Sequence, residues 1–262
     1  MNLDLTEKNA LVCGSTQGLG YASAAELAML GANVTLLARN EVKLQQAVKK
    51  LDVTKGQRHD YLVADFSDSE TVKKAITTFV AEGKMAHILV NNTGGPAGGT
   101  ALDASAEEFK AAFDSHLICN HILVQALVPG MKKECFGRII NIISTSVKQP
   151  LKNLGVSNTI RAAVANWSKT LATELAPFGI TVNNVLPGFT KTTRADYIIE
   201  KKIKDTGKTE AEVMKEFLSE IPAGRIGNPE DFGAVVAFLC SPSAGYITGI
   251  NLPVDGGRTG CL

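Results

Sequence analysis

The chain predicts a single-domain α/β fold, a doubly wound parallel sheet with helices on both faces. Three observations carry this. Short apolar runs alternate with amphipathic stretches from one end to the other. Several of those runs are apolar at nearly every residue, as strands buried on both faces must be. No Pro/Ser-rich linker, repeat or low-complexity tract divides the 262 residues, so one domain, 1–262, is expected.

Strands are expected at 10–13, 34–38, 61–64, 87–90, 138–142, 181–185 and 250–254. Between them, helical patterns occupy 19–30, then 41–51 behind an N-cap at Asn40, then 69–81, 106–130, 159–176 and 229–239. Only 193–221 stands outside the alternation, polar and charged, with its own helical pattern at 210–218. A long insertion in a compact domain is usually functional or flexible. This one is expected to be a substrate lid, with a solvated helix as the alternative.

Composition excludes several classes of function. Hydrophobic residues make up 45% and charged residues 20%, as in an ordinary globular protein. The net charge of +1, with no basic block, gives no electrostatic footprint for nucleic acid. Apolar runs such as 234–240 fall short of the ~20 residues that cross a bilayer, so no membrane partner is expected. The opening MNLDLTEKNA is charged and runs straight into the first strand, which leaves no room for a signal peptide. Cys13, Cys119, Cys135, Cys240 and Cys261 form no metal-ligand spacing and read as small hydrophobes in a reducing cytoplasm.

The first strand ends in Cys13-Gly14-Ser15-Thr16-Gln17-Gly18-Leu19-Gly20, and a helix follows at once. Gly14 permits the tight turn, Gly18 lets backbone N–H groups approach a pyrophosphate, and Gly20 lets helix and strand pack closely. The helix N-terminus then faces the phosphate charge. This is the fingerprint of a Rossmann-type dinucleotide site. At the end of the second strand, Leu37-Ala38-Arg39-Asn40 has Ala38 where an acid would bind the ribose 2′-hydroxyl of NAD(H). Arg39 is instead suited to a 2′-phosphate, so NADP(H) is expected rather than NAD(H). The alternative is a solvated strand-end charge.

Further motifs follow in order. They are Asp65-Phe66 after the third strand, Asn91-Asn92-Thr93-Gly94 after the fourth and Asn141-Ile-Ile-Ser144 after the fifth. Val182-Asn183 with Pro187-Gly188 follows, and then Ile247-Thr248-Gly249 and Val254-Asp255-Gly256-Gly257. Over nearly its whole length the chain resembles the short-chain dehydrogenase/reductase family, most nearly its 3-oxoacyl-carrier-protein-reductase-like branch. The resemblance implies that Asp65 and Phe66 hold the adenine and that Asn92, Thr93 and Gly94 line the adenosine ribose side. It also implies that Pro187, Gly188 and Thr190 position the nicotinamide amide.

The family transfers hydride between the cofactor and a carbonyl or alcohol carbon, using a serine, a tyrosine, a lysine and an asparagine. Ser144 fits the serine. Counting on, Ser157 stands at the tyrosine position, Arg161 at the lysine position and His116 at the asparagine position. An aliphatic hydroxyl is a far weaker acid than a phenol. Arg161 keeps the positive charge and can fork onto ribose hydroxyls, but it takes no part in proton exchange. His116 is either a structural histidine on a buried helix face or a substitute proton source. Lys148 and Lys152 could greet an anionic substrate, or could be plain surface lysines.

The expected function is therefore an oxidoreductase of small carbonyls or alcohols with a rebuilt proton-transfer site. A nucleotide-binding homologue without redox turnover is the alternative, and a lyase or dehydratase on the same site is a third reading. In the family's relatives the helix at 159–176 packs on its own copy. The resemblance thus implies a homo-oligomer, dimer or tetramer, formed through Ala162, Ala163, Val164, Trp167 and Leu171.

Overall fold

A computed structural model describes residues 1–261; Leu262, the end of the expected domain, lies outside the described residues. The elements begin β1 (Asn9–Cys13), α1 (Gly18–Met29), β2 (Asn33–Ala38), α2 (Glu41–Val48), β3 (Asp60–Val63), α3 (Ser69–Ala81) and β4 (Ile88–Asn91). They continue with α4 (Ala106–Phe113), α5 (Cys119–Lys133), β5 (Gly137–Ile142), α6 (Gly155–Leu175) and β6 (Ile180–Pro187). The last are α7 (Thr193–Thr206), α8 (Glu210–Ser219), α9 (Pro229–Cys240) and β7 (Asn251–Val254).

All seven strands are parallel, in the order β3-β2-β1-β4-β5-β6-β7. The order reverses between β1 and β4, and a doubly wound sheet opens its crevice at the carboxyl ends of such a pair. One apolar core lies on each face. Leu27, Val34, Leu36, Phe232 and Val236 belong to one, and Val72, Ile76, Leu123, Leu127 and Met131 to the other. On the first face α1 and α9 meet closely because Gly233 carries no side chain; a Cβ there would sit 2.8 Å from the Ala22 carbonyl oxygen.

The structure corrects several boundaries. β3 is an edge strand and partly exposed rather than buried on both faces. The helix expected at 106–130 is three pieces, α4, a wide π turn at Asp114–Ile118, and α5. The run Ala106–Lys133 is long and apolar enough to cross a membrane by length and composition. It is nonetheless a layer of this fold, with Cys119, Leu123, Leu127 and Met131 packed into the core beneath it. Helix α6 starts at Gly155, four residues ahead of expectation, which places Ser157 in its first turn. The insertion forms two helices, α7 and α8, instead of one. Val164 points inward against Ile143 and Leu186, so it does not share an outer face with Ala162.

A polar ladder crosses the carboxyl half of the sheet. Asn91, Asn141, Asn184 and Asn251 are in register on β4, β5, β6 and β7. Asn91 Nδ2 donates to Asn141 Oδ1 at 2.8 Å, and Asn141 Nδ2 donates to Asn184 Oδ1 at 3.1 Å. Asn184 Nδ2 donates to Asn251 Oδ1 at 2.8 Å. Ser168 of α6 joins from above, accepting from Asn141 at 2.8 Å and donating to Asn184 at 2.8 Å. Removing the middle member strands several buried groups, each costing about 1–3 kcal/mol. Asn141→Ala should therefore lower unfolding free energy by about 3 kcal/mol or more in urea titration, with the m value unchanged. A loss below about 1 kcal/mol would show that the ladder is not a structural tie.

Candidate active site

The turn after β1 is built for close approach. Gly14 has φ +55°, and a Cβ on it would lie 2.7 Å from Asn92 Nδ2 and 2.8 Å from the Asn92 carbonyl oxygen. Asn92 Nδ2 in turn donates to the Gly14 carbonyl at 3.1 Å and to that of Cys13 at 3.3 Å, tying β4 to the turn. Gly18 also has positive φ, +59°, and a Cβ on Gly20 would strike the Gly14 carbonyl. Gln17, at the N-cap of α1, makes no side-chain cap, and the first turn holds no acid. The opening N–H groups of α1 are thus left for an anion, which fits a dinucleotide pyrophosphate.

The other expected cofactor residues gather along the same edge. Ser15 is buried, its Oγ turned to the Leu37 carbonyl at 3.5 Å, so only its backbone faces the turn. Gln17 Nε2 donates to Thr193 Oγ1 of α7 at 3.1 Å, and Leu19 packs against the core. Arg39 is exposed, with Nη1 4.0 Å from Asp65 Oδ2. The Ser67 N–H holds the Asp65 carboxyl below the usual carboxylate range, and the Arg39 charge adds to this. Asn40 spends its side chain capping α2, accepting from Lys43 N at 2.9 Å. Phe66 is buried, Thr93 half-buried and Gly94 exposed beside Asn92. Gly188 donates its N–H to the Val254 carbonyl at 2.9 Å, following Pro187 at the end of β6. Thr190 Oγ1 donates to the Gly188 carbonyl at 3.3 Å.

Ser144 caps a short turn at Thr145–Val147, its Oγ accepting from Ser146 N at 3.0 Å. That bond occupies a lone pair and leaves the hydroxyl proton free to donate. Arg161 reaches back from α6 to the end of β5, where its Nη1 donates to the Ile142 carbonyl at 3.1 Å. The side chain is buried, and no carboxylate pairs with it among the described residues. Its Nη2 lies 3.8 Å from where a Cβ on Gly95 would stand, facing the loop after β4. Burial pushes the guanidinium down to about 10, still protonated at neutral pH. Ser157 lies one helical turn earlier on the same face of α6 and is half-buried.

His116 is carried inward by the π turn. Burial first, and then the Arg161 charge, push its imidazole down to about 3. The sequence-based premise that it titrates near neutral pH is therefore corrected: the ring is uncharged and can act only as a neutral hydrogen-bonding group.

The sequence reading missed a cleft of about 330 Å³ lined by Thr145, Gln149, Leu151, Glu220, Arg258 and Thr259. Val254-Asp255-Gly256-Gly257 counted only towards the family resemblance, and nothing in the spacing told that the tail folds back beside Thr145. Lys148 and Lys152 are absent from that lining. A second cleft, of about 420 Å³, lies at Phe109, Lys110, Phe113, Asp114 and Ile160. No His/Cys/Asp/Glu group suited to a metal ion occurs among the described residues.

Fold and site together define a doubly wound α/β protein with an anion-binding turn at its switch point. The chain belongs to the short-chain dehydrogenase/reductase family: the family model described as Enoyl-(Acyl carrier protein) reductase matches residues 14–259. It is 36% identical to the 3-oxoacyl-[acyl-carrier-protein] reductase FabG of Haemophilus influenzae, over 95% of this chain and 97% of that protein. It is 31% identical to the NADPH-dependent reductase BacG of Bacillus subtilis, over 97% of this chain and 98% of that one. The crystal structure of L-sorbose reductase from Gluconobacter frateurii, complexed with NADPH and L-sorbose, superposes with a TM-score of 0.93. The two are 31% identical, and all of both chains is covered.

His116 gives a pH test. Its folded value, about 3, lies below the ordinary 6.5, so the unfolded chain binds more protons between the two. Its contribution to stability is complete above about pH 6.5 and is lost as pH falls towards 3. The slope from one such group is at most about 1.4 kcal/mol per pH unit. Denaturant unfolding of the wild type and of His116→Asn between neutral and acid pH should give a shallower dependence for the variant. Identical slopes would mean that the imidazole is not held neutral.

Proposed function

We propose that this protein is an NADP(H)-dependent reductase of small carbonyl compounds whose proton-transfer site is rebuilt around Arg161. The observation that carries the reading is the Arg161 guanidinium, buried at the carboxyl edge with a single hydrogen bond and no counter-charge among the described residues. Such a group is costly unless something negative or hydroxyl-rich meets it. BacG, described as an NADPH-dependent reductase, and the L-sorbose reductase seen with NADPH support the cofactor and the reaction class.

A reduced nicotinamide held along this edge would supply the hydride for the carbonyl carbon. Ser144 donates its free hydroxyl proton in a hydrogen bond to the carbonyl oxygen. Arg161 forks onto ribose hydroxyls and stabilises the negative charge that develops on that oxygen. Ser157 occupies the family's tyrosine position, but it is a ring shorter and a far weaker acid. With His116 neutral, the proton that completes the alcohol comes from water, and the imidazole N–H can orient that water. Arg39, next to Ala38, selects the 2′-phosphate, and α7–α8 is the lid. The Thr193 contact to Gln17 joins that lid to the phosphate turn. The outer side of α6 supports a homo-oligomer, and the site asks for no metal.

Two measurements test this. Arg39→Ala should weaken NADPH binding by about tenfold or more, the scale of one charge-assisted contact, and leave NADH unchanged in a fluorescence titration. Equal loss for both cofactors would remove Arg39 from the 2′-phosphate. NADPH oxidation against a carbonyl panel should show slow turnover. Arg161→Ala should abolish it, whereas Ser157→Tyr with Arg161→Lys should raise it by about 10²-fold, the scale of a positioned general acid. The melting temperature must be followed alongside, because overpacking a serine site costs about 1–3 kcal/mol. Bound NADPH with no carbonyl reduced by the wild type would favour the non-redox homologue instead.

A further inference from the structure

The chain leaves β7 at Val254, directly beside Gly188, and turns at once. Asp255 builds that turn with its own carboxylate. Oδ1 accepts from Gly257 N at 3.0 Å and Oδ2 from Thr259 N at 2.8 Å. Gly256 and Gly257 take left-handed backbone, φ +65° and +85°. The turn carries Arg258 to Glu220 just past the end of α8, where Nε and Nη2 donate to the same oxygen, Oε2, at 3.1 and 2.6 Å. Ala223 N donates to the Gly256 carbonyl at 3.0 Å, so tail and insertion are held together. Between this joint and Thr145, the residue after Ser144, lies the 330 Å³ cleft.

The lining has a definite chemistry. Arg258 and Glu220 cancel in charge, and among the described residues neither Arg258 Nη1 nor Glu220 Oε1 has a hydrogen-bond partner. Thr145, Thr259 and Gln149 add groups that both donate and accept, and Leu151 alone is apolar. An acyl chain here would desolvate an ion pair and return no hydrogen bond. A carboxylate would reach Arg258 only in competition with the Glu220 carboxylate already bonded to it. Successive hydroxyls on a short carbon chain satisfy both partners, donating to Glu220 and accepting from Arg258.

We infer that the substrate is a polyhydroxylated ketone, read by Arg258 and Glu220 at the far end of the cleft while its carbonyl lies at Ser144. This rests on the reductase reading above. In that reaction the hydride of bound NADPH would add to the carbonyl carbon as the C=O π pair moves to oxygen, a solvent proton passed through water would complete the alcohol, and the cofactor would leave as NADP⁺.

The test uses whole protein saturated with NADP⁺, so that no turnover disturbs binding. Calorimetric titration compares L-sorbose and D-fructose with 2-oxobutyrate and with an acetoacetyl thioester of N-acetylcysteamine. One of the two ketohexoses should bind tightest. Arg258→Ala and Glu220→Gln should each weaken it by about tenfold or more, the scale of hydrogen bonds to a charged group, and leave NADP⁺ affinity unchanged. Arg258→Lys, which keeps the charge and the latch to Glu220, should restore part of the loss at wild-type melting temperature. Preference for the oxo acid or the thioester, no ketohexose binding by the NADP⁺-loaded wild type, or unchanged affinity in both variants would overturn the substrate class. Failure of the wild type to bind NADP⁺ would overturn the cofactor reading, and this one with it.

Discussion

The asparagine ladder from Asn91 to Asn251 ties together the register of the four strands β4 to β7, whose ends border the candidate site. Parallel strands buried on both faces are otherwise held by backbone bonds and nonspecific apolar packing, which tolerate a slip less sharply than side-chain bonds do. Here Asn141 and Asn184 both donate and accept, Asn91 donates at one end and Asn251 accepts at the other, and Ser168 locks α6 to the middle pair. One residue past Asn141 the strand ends at Ile142, and Ser144 lies two residues further on. From the same helix that carries Ser168, Arg161 finds the Ile142 carbonyl. The distance from the ladder to Ser144 and to the Arg161 guanidinium is therefore one short strand end.

Arg161 works against this rigidity energetically. A cation without a carboxylate partner in the interior is a destabilising choice, and its lowered affinity for a proton records the same desolvation. Strain of this kind is tolerated where function uses it. Burial keeps His116 neutral, and the Arg161 charge beside it adds to that effect.

The insertion and the tail act as one wall. Phe189, after the Pro187-Gly188 turn, stacks on Phe217 of α8 with ring centres 4.3 Å apart. Lys202 of α7 pairs with Glu216 of α8, and so does Lys208 between the two helices. Arg258 then fastens the tail to the residue after α8. The wall is anchored after the Pro187-Gly188 turn, at the glycine turn through Gln17 and Thr193, and at the tail, three places far apart in the chain.

Much of this was legible in the amino-acid order because it depends on local rules. Alternating apolar and amphipathic runs require a parallel sheet, and Gly14, Gly18 and Gly20 are demanded by backbone angles and clearances that only glycine meets. The absence of an acid at Ala38 and the residues standing at 116, 144, 157 and 161 are likewise facts of spacing. What the order of residues did not contain were quantities that exist only once distant segments share a volume. Whether His116 titrates near neutral pH depends on burial and on a guanidinium 45 positions away. Whether Val164 faces out or in depends on the sheet beneath it. The cleft between Thr145 and Arg258 joins segments more than 100 residues apart, and no local periodicity encodes such a meeting, because it follows from where the sheet ends bring them.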